Sequence, residues 1–284
     1  MTYRQIYLDG KRALQEAGID SPAFDALCLF SQCFSMDRQG LAVHGAEEAP
    51  AGQEARYREW IKQRGTGRPL QYLLGEWEFM GFPFSVGEGV LIPREDTEVV
   101  VRECARRLSG FSKPAVLDLC AGSGALGIGL CSLLPHARVT AVELSEKAYG
   151  YLVKNIQRNG MEERIIPVKG DVLRDFSLVP DGTLDAVASN PPYIPSGDIS
   201  GLQREVQREP LMALDGGNDG LDFYRVILTK WSRKLKPGGS MAVEIGIGQA
   251  EAVSALFQQA GFQDIAISPD LAGIPRTVSG IFPG

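Results

Sequence analysis

Four short stretches of this chain hold residue types suited to binding a ligand and activating it. The first is Asp118-Leu119-Cys120-Ala121-Gly122-Ser123-Gly124. Glycines in a loop that leads into a helix let the backbone approach a ligand and leave N-terminal N–H groups pointing at it. The loop lacks the third glycine of a dinucleotide fingerprint and no Gly-Lys-Ser/Thr follows, so NAD and ATP are both disfavoured. Glu143 stands 21 residues after Gly122, where a carboxylate can accept from both hydroxyls of a ribose. Its plainer reading is an acid near the start of the next helix. Asp171, with Val172 beside it, offers a carboxylate to the exocyclic amine of an adenine. Glycine loop and two acids together describe an adenosine cofactor with no pyrophosphate to hold.

The fourth stretch is Asn190-Pro191-Pro192-Tyr193. It suits a planar nitrogen, an amide or an aromatic amine, as the group to be alkylated. The lone pair of such a nitrogen is delocalised, so two acceptors must hold its N–H bonds and aim the lone pair at an electrophile. Asn190 offers a side-chain carbonyl and Pro191 a backbone carbonyl. Proline has no N–H and a fixed φ, which keeps the loop rigid. Pro192 extends that rigidity, and Tyr193 can lie flat against the planar group. The chemistry is positioning by preorganised dipoles and needs no strong base. As a bland loop the same tetrapeptide is a turn with one packed aromatic.

These residues need strand ends to converge. From about Leu91 onward the pattern alternates strand and helix. Strands are expected over Ala115–Cys120, Arg138–Leu144, Ile165–Asp171, Leu184–Asn190, Ser240–Ile245, Phe262–Ser268 and Thr277–Phe282. Helices are expected over Glu95–Leu108, Ala125–Leu134, Glu146–Asn159, Leu221–Leu235 and Gln249–Ala260, with Gly160 and Gly261 as C-terminal stops. Seven strands with helices between them predict an α/β, Rossmann-like, mostly parallel sheet that binds ligands beyond the carboxyl ends of its strands. All four stretches fall at such ends.

Upstream, residues 2–75 read as a small helical bundle. Ser21 as N-cap with Pro22 at the first helical position opens one helix, and Ala51–Arg64 is another. Trp77, Phe79, Phe82, Phe84 and Val86, broken by Gly81, then predict a β-hairpin. The expected organisation is a helical domain over 1–75, a hairpin linker over 76–90 and a catalytic domain over 91–284.

Composition bounds the partners. The 284 residues are 44% hydrophobic and 23% charged, ordinary for a globular chain, so disorder is excluded. The net charge of −6 disfavours a non-specific grip on nucleic acid. Residues 1–75 carry nine basic and nine acidic side chains, so the whole excess lies downstream. Five cysteines without a CxxC pair and two histidines predict neither disulfides nor a metal site. The uncharged run Leu119–Ala137 contains four glycines and a proline, and reads as strand end, loop and buried helix, with no membrane span. A soluble, cytoplasmic protein is expected.

Together, Asp118 to Gly124, Glu143, Asp171 and Asn190-Pro191-Pro192-Tyr193 resemble a class I S-adenosylmethionine-dependent methyltransferase that acts on a planar nitrogen. Two families share the Asn-Pro-Pro-Tyr element: adenine amino-group methyltransferases, and the methyltransferases that modify the Gly-Gly-Gln glutamine of class I peptide chain release factors. The rest of the chain is similar to the second. The matching stretches are Gln71 to Gly75, the hairpin, Val90 to Glu98, Glu209-Pro210, Gly216 with Asp219 to Arg225, Glu244-Ile245-Gly246 and Asp270 to Arg276. Three positions depart from the family's usual residues. Cys120-Ala121 stand for Gly-Thr, Glu143 for Asp and Glu95 for Pro. The loop contacts are mainly backbone and Glu143 keeps its carboxylate, so the function carries over with a slightly altered fit on the methionine side.

The resemblance implies that Cys120, Ala121, Gly122, Ser123, Gly124, Glu143, Asp171, Val172 and Asn190 hold S-adenosylmethionine, which leaves as S-adenosylhomocysteine. It implies that Asn190, Pro191, Pro192 and Tyr193 hold the glutamine amide, with Asn190, Pro191 and Tyr193 catalytic. Arg94 either closes the pocket or caps a helix-entry carboxylate. The expected partner is a release factor, with no stable nucleic-acid binding, no membrane and no metal. An adenine methyltransferase is the first alternative, disfavoured by the acid excess, and a non-catalytic cofactor-binding scaffold is the second.

Overall fold

The computed structural model describes residues 1–284 and divides into two compact units. One comprises Met1–Glu76 and Gln203–Arg208, the other Trp77–Leu202 and Glu209–Gly284.

The first unit is helical: α1 (Tyr3–Glu16), α2 (Pro22–Phe34), α3 (Arg38–His44), α4 (Ala51–Gly65) and α5 (Leu70–Leu74). Thr2 and Gln5 form a reciprocal capping box on α1, which satisfies two of the N–H groups a helix start leaves open. Ser21 occupies the N-cap of α2 beside Pro22, but its hydroxyl makes no capping bond because its backbone is outside the extended region that aims the side chain back. The short helices α3 and α5 go beyond the elements expected from the sequence. Asp37 caps α3 by accepting from the Gly40 N–H at 2.7 Å, and α5 lies between Pro69 and a left-handed Gly75. Phe30, Phe34 and Tyr57 meet edge-on or tilted at the centre of this unit. Beside them Arg64 is buried; its Nε donates to Asp25 Oδ2 at 2.6 Å and its guanidinium also pairs with Glu205.

The hairpin follows as β1 (Glu76–Phe79) and β2 (Phe82–Ser85), its two turn residues Met80 and Gly81 both left-handed, as tight hairpins require. The sheet of the second unit contains β3 (Ala115–Leu119), β4 (Arg138–Glu143), β5 (Ile165–Lys169), β6 (Leu184–Ser189), β7 (Leu235–Glu244), β8 (Gln263–Pro269) and β9 (Pro275–Ile281). Their order is β5-β4-β3-β6-β7-β9-β8. The first five run parallel, and β9 is inserted antiparallel between β7 and β8. The seven-stranded α/β sheet is therefore as expected, with one reversed strand.

Successive residues of the central strands face opposite layers. Val116, Ala186 and Ala242 pack toward α6 (Thr97–Arg107), α7 (Ala125–Leu133) and α8 (Glu146–Arg158), whose Val101, Ile128 and Leu152 are fully buried. Leu117, Val187 and Met241 pack on the other side with Tyr224 of α9 (Asp222–Val226), Trp231 and Phe257 of α10 (Ala250–Gln259). The single helix expected over Leu221–Leu235 is not continuous. It passes from α9 into a π turn at Ile227–Trp231 and a 3₁₀ turn at Ser232–Lys234. The wider turn seats the buried Trp231 so that its indole N–H donates to the Val172 carbonyl at 2.8 Å. Thr229 also bonds back to the Arg225 carbonyl at 2.7 Å, a habit that bends helices.

Candidate active site

Strand order reverses between β3 and its neighbours β4 and β6, which opens a crevice beyond their carboxyl ends. A cavity of about 560 Å³ lies there, within the range of small-molecule sites. Cys120, Ala121, Gly122 and Ser123 line it after β3, Glu143 after β4, Asp171 and Val172 after β5, and Asn190 and Pro192 after β6. Arg94, Thr97 and the segment Leu211–Ala213 complete its wall. Gly124, Pro191 and Tyr193 lie outside that lining.

The glycine loop is fastened from β4. Glu143 accepts from the Gly122 N–H at 2.8 Å through Oε2, and from the Ser145 N–H at 2.7 Å through Oε1. The bond to Ser145 matches the helix-start reading, and each carboxylate oxygen keeps a second lone pair at the cavity wall. Burial raises its pKa, and the backbone donors only partly offset this. Asp171 commits Oδ1 to the Leu173 N–H at 2.8 Å, which shapes the turn after β5.

The Asp118 side chain, near the end of β3, lies against the cavity. Oδ2 accepts from the Gly127 N–H at 3.0 Å, whereas Oδ1 is buried with no hydrogen-bond partner. Burial pushes its pKa up to about 8, with the Glu143 charge adding to the rise. With one oxygen unpaired and a second buried acid beside it, Asp118 keeps its proton near neutral pH unless a cation comes to the cavity wall.

Arg94 caps no helix-entry carboxylate. It pairs with Glu209, which also accepts from the Ile92 N–H at 2.8 Å. The two contacts tie the 92–94 segment of the cavity wall to Glu209, which precedes the wall residue Pro210.

The Asn190-Pro191-Pro192-Tyr193 turn rests on bare backbone. A Cβ on Gly216 would stand 2.8 Å from the Tyr193 Cα, and one on Gly220 would stand 2.3 Å from the Tyr193 carbonyl oxygen. Tyr193 turns its hydroxyl to Glu244 Oε1 at 3.3 Å, and its carbonyl accepts from Gln249 Nε2 at 2.9 Å. Asn190 Nδ2 donates to Thr97 Oγ1 at 3.0 Å, and that hydroxyl donates to Glu244 Oε2 at 2.6 Å. Neither Thr97 nor Glu244 belongs to a motif with legible chemistry; their one signal was that both stood in family-like stretches. No group of three or more His, Cys, Asp or Glu side chains is arranged to hold a metal ion.

The fold is Rossmann-like, with its crevice at the carboxyl ends of the parallel strands. Among solved structures, a methyltransferase from Pyrococcus furiosus aligns with a TM-score of 0.52 and 17% identity, over 83% of this chain and all of that one. The catalytic domain of hMettl16, crystallised with the MAT2A 3′UTR hairpin 6, aligns at 0.58 and 14%, over 82% of each chain. Likenesses at that identity speak for the fold alone.

Sequence narrows the class further. Residues 5–75 match the model described as "PrmC N-terminal domain", and residues 100–217 match "Conserved hypothetical protein 95". The release factor glutamine methyltransferase of Geobacter sulfurreducens is 42% identical over 98% of this chain and 96% of its own. That of Moorella thermoacetica is 39% identical over 97% of both. The chain belongs to the release factor glutamine methyltransferase family.

Proposed function

We propose that this protein transfers a methyl group from S-adenosylmethionine to the side-chain amide nitrogen of the glutamine in the Gly-Gly-Gln motif of class I peptide chain release factors. The observation that carries this reading is the position of Asn190. It stands on the wall of the same cavity that the glycine loop, Glu143 and Asp171 line, in a chain of this family.

The residues fit the cofactor. S-adenosylmethionine is a zwitterionic adenosine with a sulfonium, and the cavity wall carries two buried acids, Glu143 and Asp118, the second with Oδ1 unpaired, whose ionised forms a cationic ligand favours. Cys120 to Gly124, Glu143, Asp171, Val172 and Asn190 hold it. When bound, it supplies a methyl group activated for displacement. Asn190 Oδ1 and the Pro191 carbonyl accept from the two amide N–H bonds of the glutamine, and Pro192 and Tyr193 keep that turn rigid. The side chains thereby orient a weak nucleophile and abstract no proton from it.

The helical unit, residues 1–75, recognises the release factor, and residues 91–284 carry the chemistry with the hairpin between them. Its neutral charge balance allows contacts that the acidic remainder would oppose. No helix is long and apolar enough to cross a membrane, and the reading places the enzyme in the cytoplasm with its substrate.

Labelled methyl from S-adenosylmethionine, offered with a release factor and a duplex DNA side by side, tests the reading. Label in the release factor is expected. Label in the nucleic acid alone would overturn the assignment in favour of an adenine methyltransferase.

A further inference from the structure

The relay from Asn190 through Thr97 to Glu244 has a direction. A hydroxyl carries one proton, and an ionised carboxylate can only accept. Thr97 donates to Glu244 Oε2 at 2.6 Å, so toward Asn190 it can only accept, and Asn190 presents its NH₂ at 3.0 Å. The amide oxygen of Asn190 is then the atom left for a ligand. Glu244 and Thr97 are 1% and 4% exposed, so water does not scramble this order.

We infer that Thr97 and Glu244 are positioning residues that set which face of the Asn190 amide meets the substrate. Glu244 holds the polarity and Thr97 transmits it; neither touches the reacting nitrogen. This rests on the proposed reading, in which Asn190 must accept from a substrate N–H. Reversal of the relay would place the Asn190 NH₂ against the glutamine NH₂, donor against donor, and lose the bond that aims the lone pair.

The surroundings of Glu244 bear on when reversal occurs. Its other carboxylate oxygen accepts from Tyr193, Tyr224 donates to its backbone carbonyl at 2.8 Å, and Asp96 and Arg276 are the charges that act on it. Burial, opposed by the Thr97 and Tyr193 hydroxyls and by Arg276 and aided by Asp96, pushes its pKa up to about 7. Below that pH Glu244 gains a proton and becomes a donor to Thr97, which frees the threonine proton for Asn190 Oδ1. Turnover should therefore fall on the acid side, through this relay.

The test measures turnover on a release factor across pH, with cofactor affinity and melting temperature, for wild type, Thr97→Val, Thr97→Ser and Glu244→Gln. Valine should lower kcat on the order of 10²-fold, flatten the acid limb, and change cofactor affinity far less than kcat. Serine, which keeps the hydroxyl, should restore most of the loss and the limb. Glutamine, nearly isosteric, can donate to Thr97 and should lower kcat at every pH. A valine variant within threefold of wild type, or a serine variant as poor as valine, overturns the relay. Should wild type leave release factors unlabelled, the substrate reading falls separately, and ¹⁵N-asparagine spectra decide the relay. Displaced Asn190 side-chain amide peaks in Thr97→Val uphold it, and unchanged peaks overturn it.

Discussion

Glu143 and Gly122 are joined by a 2.8 Å hydrogen bond from the glycine N–H to Oε2, while Oε1 accepts from Ser145. One carboxylate from β4 thus shapes the glycine loop of β3 and the start of α8 together. In Glu143→Gln one of these N–H groups faces an amide NH₂, donor against donor. A lost hydrogen bond to a charged group costs about 1.5–3 kcal/mol, so cofactor affinity should fall roughly 10- to 150-fold. Calorimetric titration with S-adenosylmethionine measures it, and an unchanged affinity would remove Glu143 from the cofactor site.

Asp118 gives the cofactor-free protein a dependence on pH. Its folded-state pKa of about 8 lies above the ordinary 3.8, so between these values the folded state keeps a proton that the unfolded state has released. Its contribution to stability is full below the lower value and is lost as pH rises through the upper one. Asp118→Asn keeps an oxygen for the Gly127 N–H and removes the titration. Melting temperatures of wild type should decline toward pH 8 more steeply than those of the variant; parallel curves would contradict the assignment.

Cys120 holds φ at 61°, a left-handed backbone without glycine, where the family usually has glycine. The strain of a side chain there is offset in part by packing against the core. Cys120→Gly should leave stability within about 1 kcal/mol of wild type, because relief of strain and loss of packing oppose each other. Cys120→Val, branched at Cβ, should cost about 1–3 kcal/mol. Denaturant unfolding distinguishes the two, and equal values for both would refute the role of the backbone angle.

Asn190→Ala removes the acceptor and leaves the loop. Turnover on a release factor should fall about 10²–10³-fold, the scale for one oriented dipole at a reacting centre, while cofactor affinity falls far less, because the glycine loop, Glu143 and Asp171 still line the cavity. A protein that serves only as a cofactor-binding scaffold would keep partner binding and lose no measurable activity. Single-turnover labelling separates these outcomes.

Much of the sheet was legible because buried parallel strands read as apolar runs, and acids such as Glu143 and Asp171 at their ends break the pattern. Strand direction leaves no such mark, so the reversal of β9 was invisible. Tyr193 reads as a ring for the planar substrate group, and that reading gives no sign of the bond its hydroxyl makes to Glu244, 51 residues away in the chain. The buried set of Arg64 with Asp25 and Glu205 likewise joins residues 39 and 141 apart. No periodicity carries such partnerships. The same holds for Thr97, an ordinary residue at a helix start until the fold places it between Asn190 and Glu244.

The turn that holds Tyr193 lies against Gly216 and Gly220 with no room for a side chain. Any coding change of a glycine codon that leaves a full-length protein adds at least one carbon. Side chains on the walls of the cavity can therefore be exchanged, while these two positions cannot change without displacing the segment that presents the amide acceptors. In a library of random variants they should rank with Asn190 in intolerance, although neither carries a functional group.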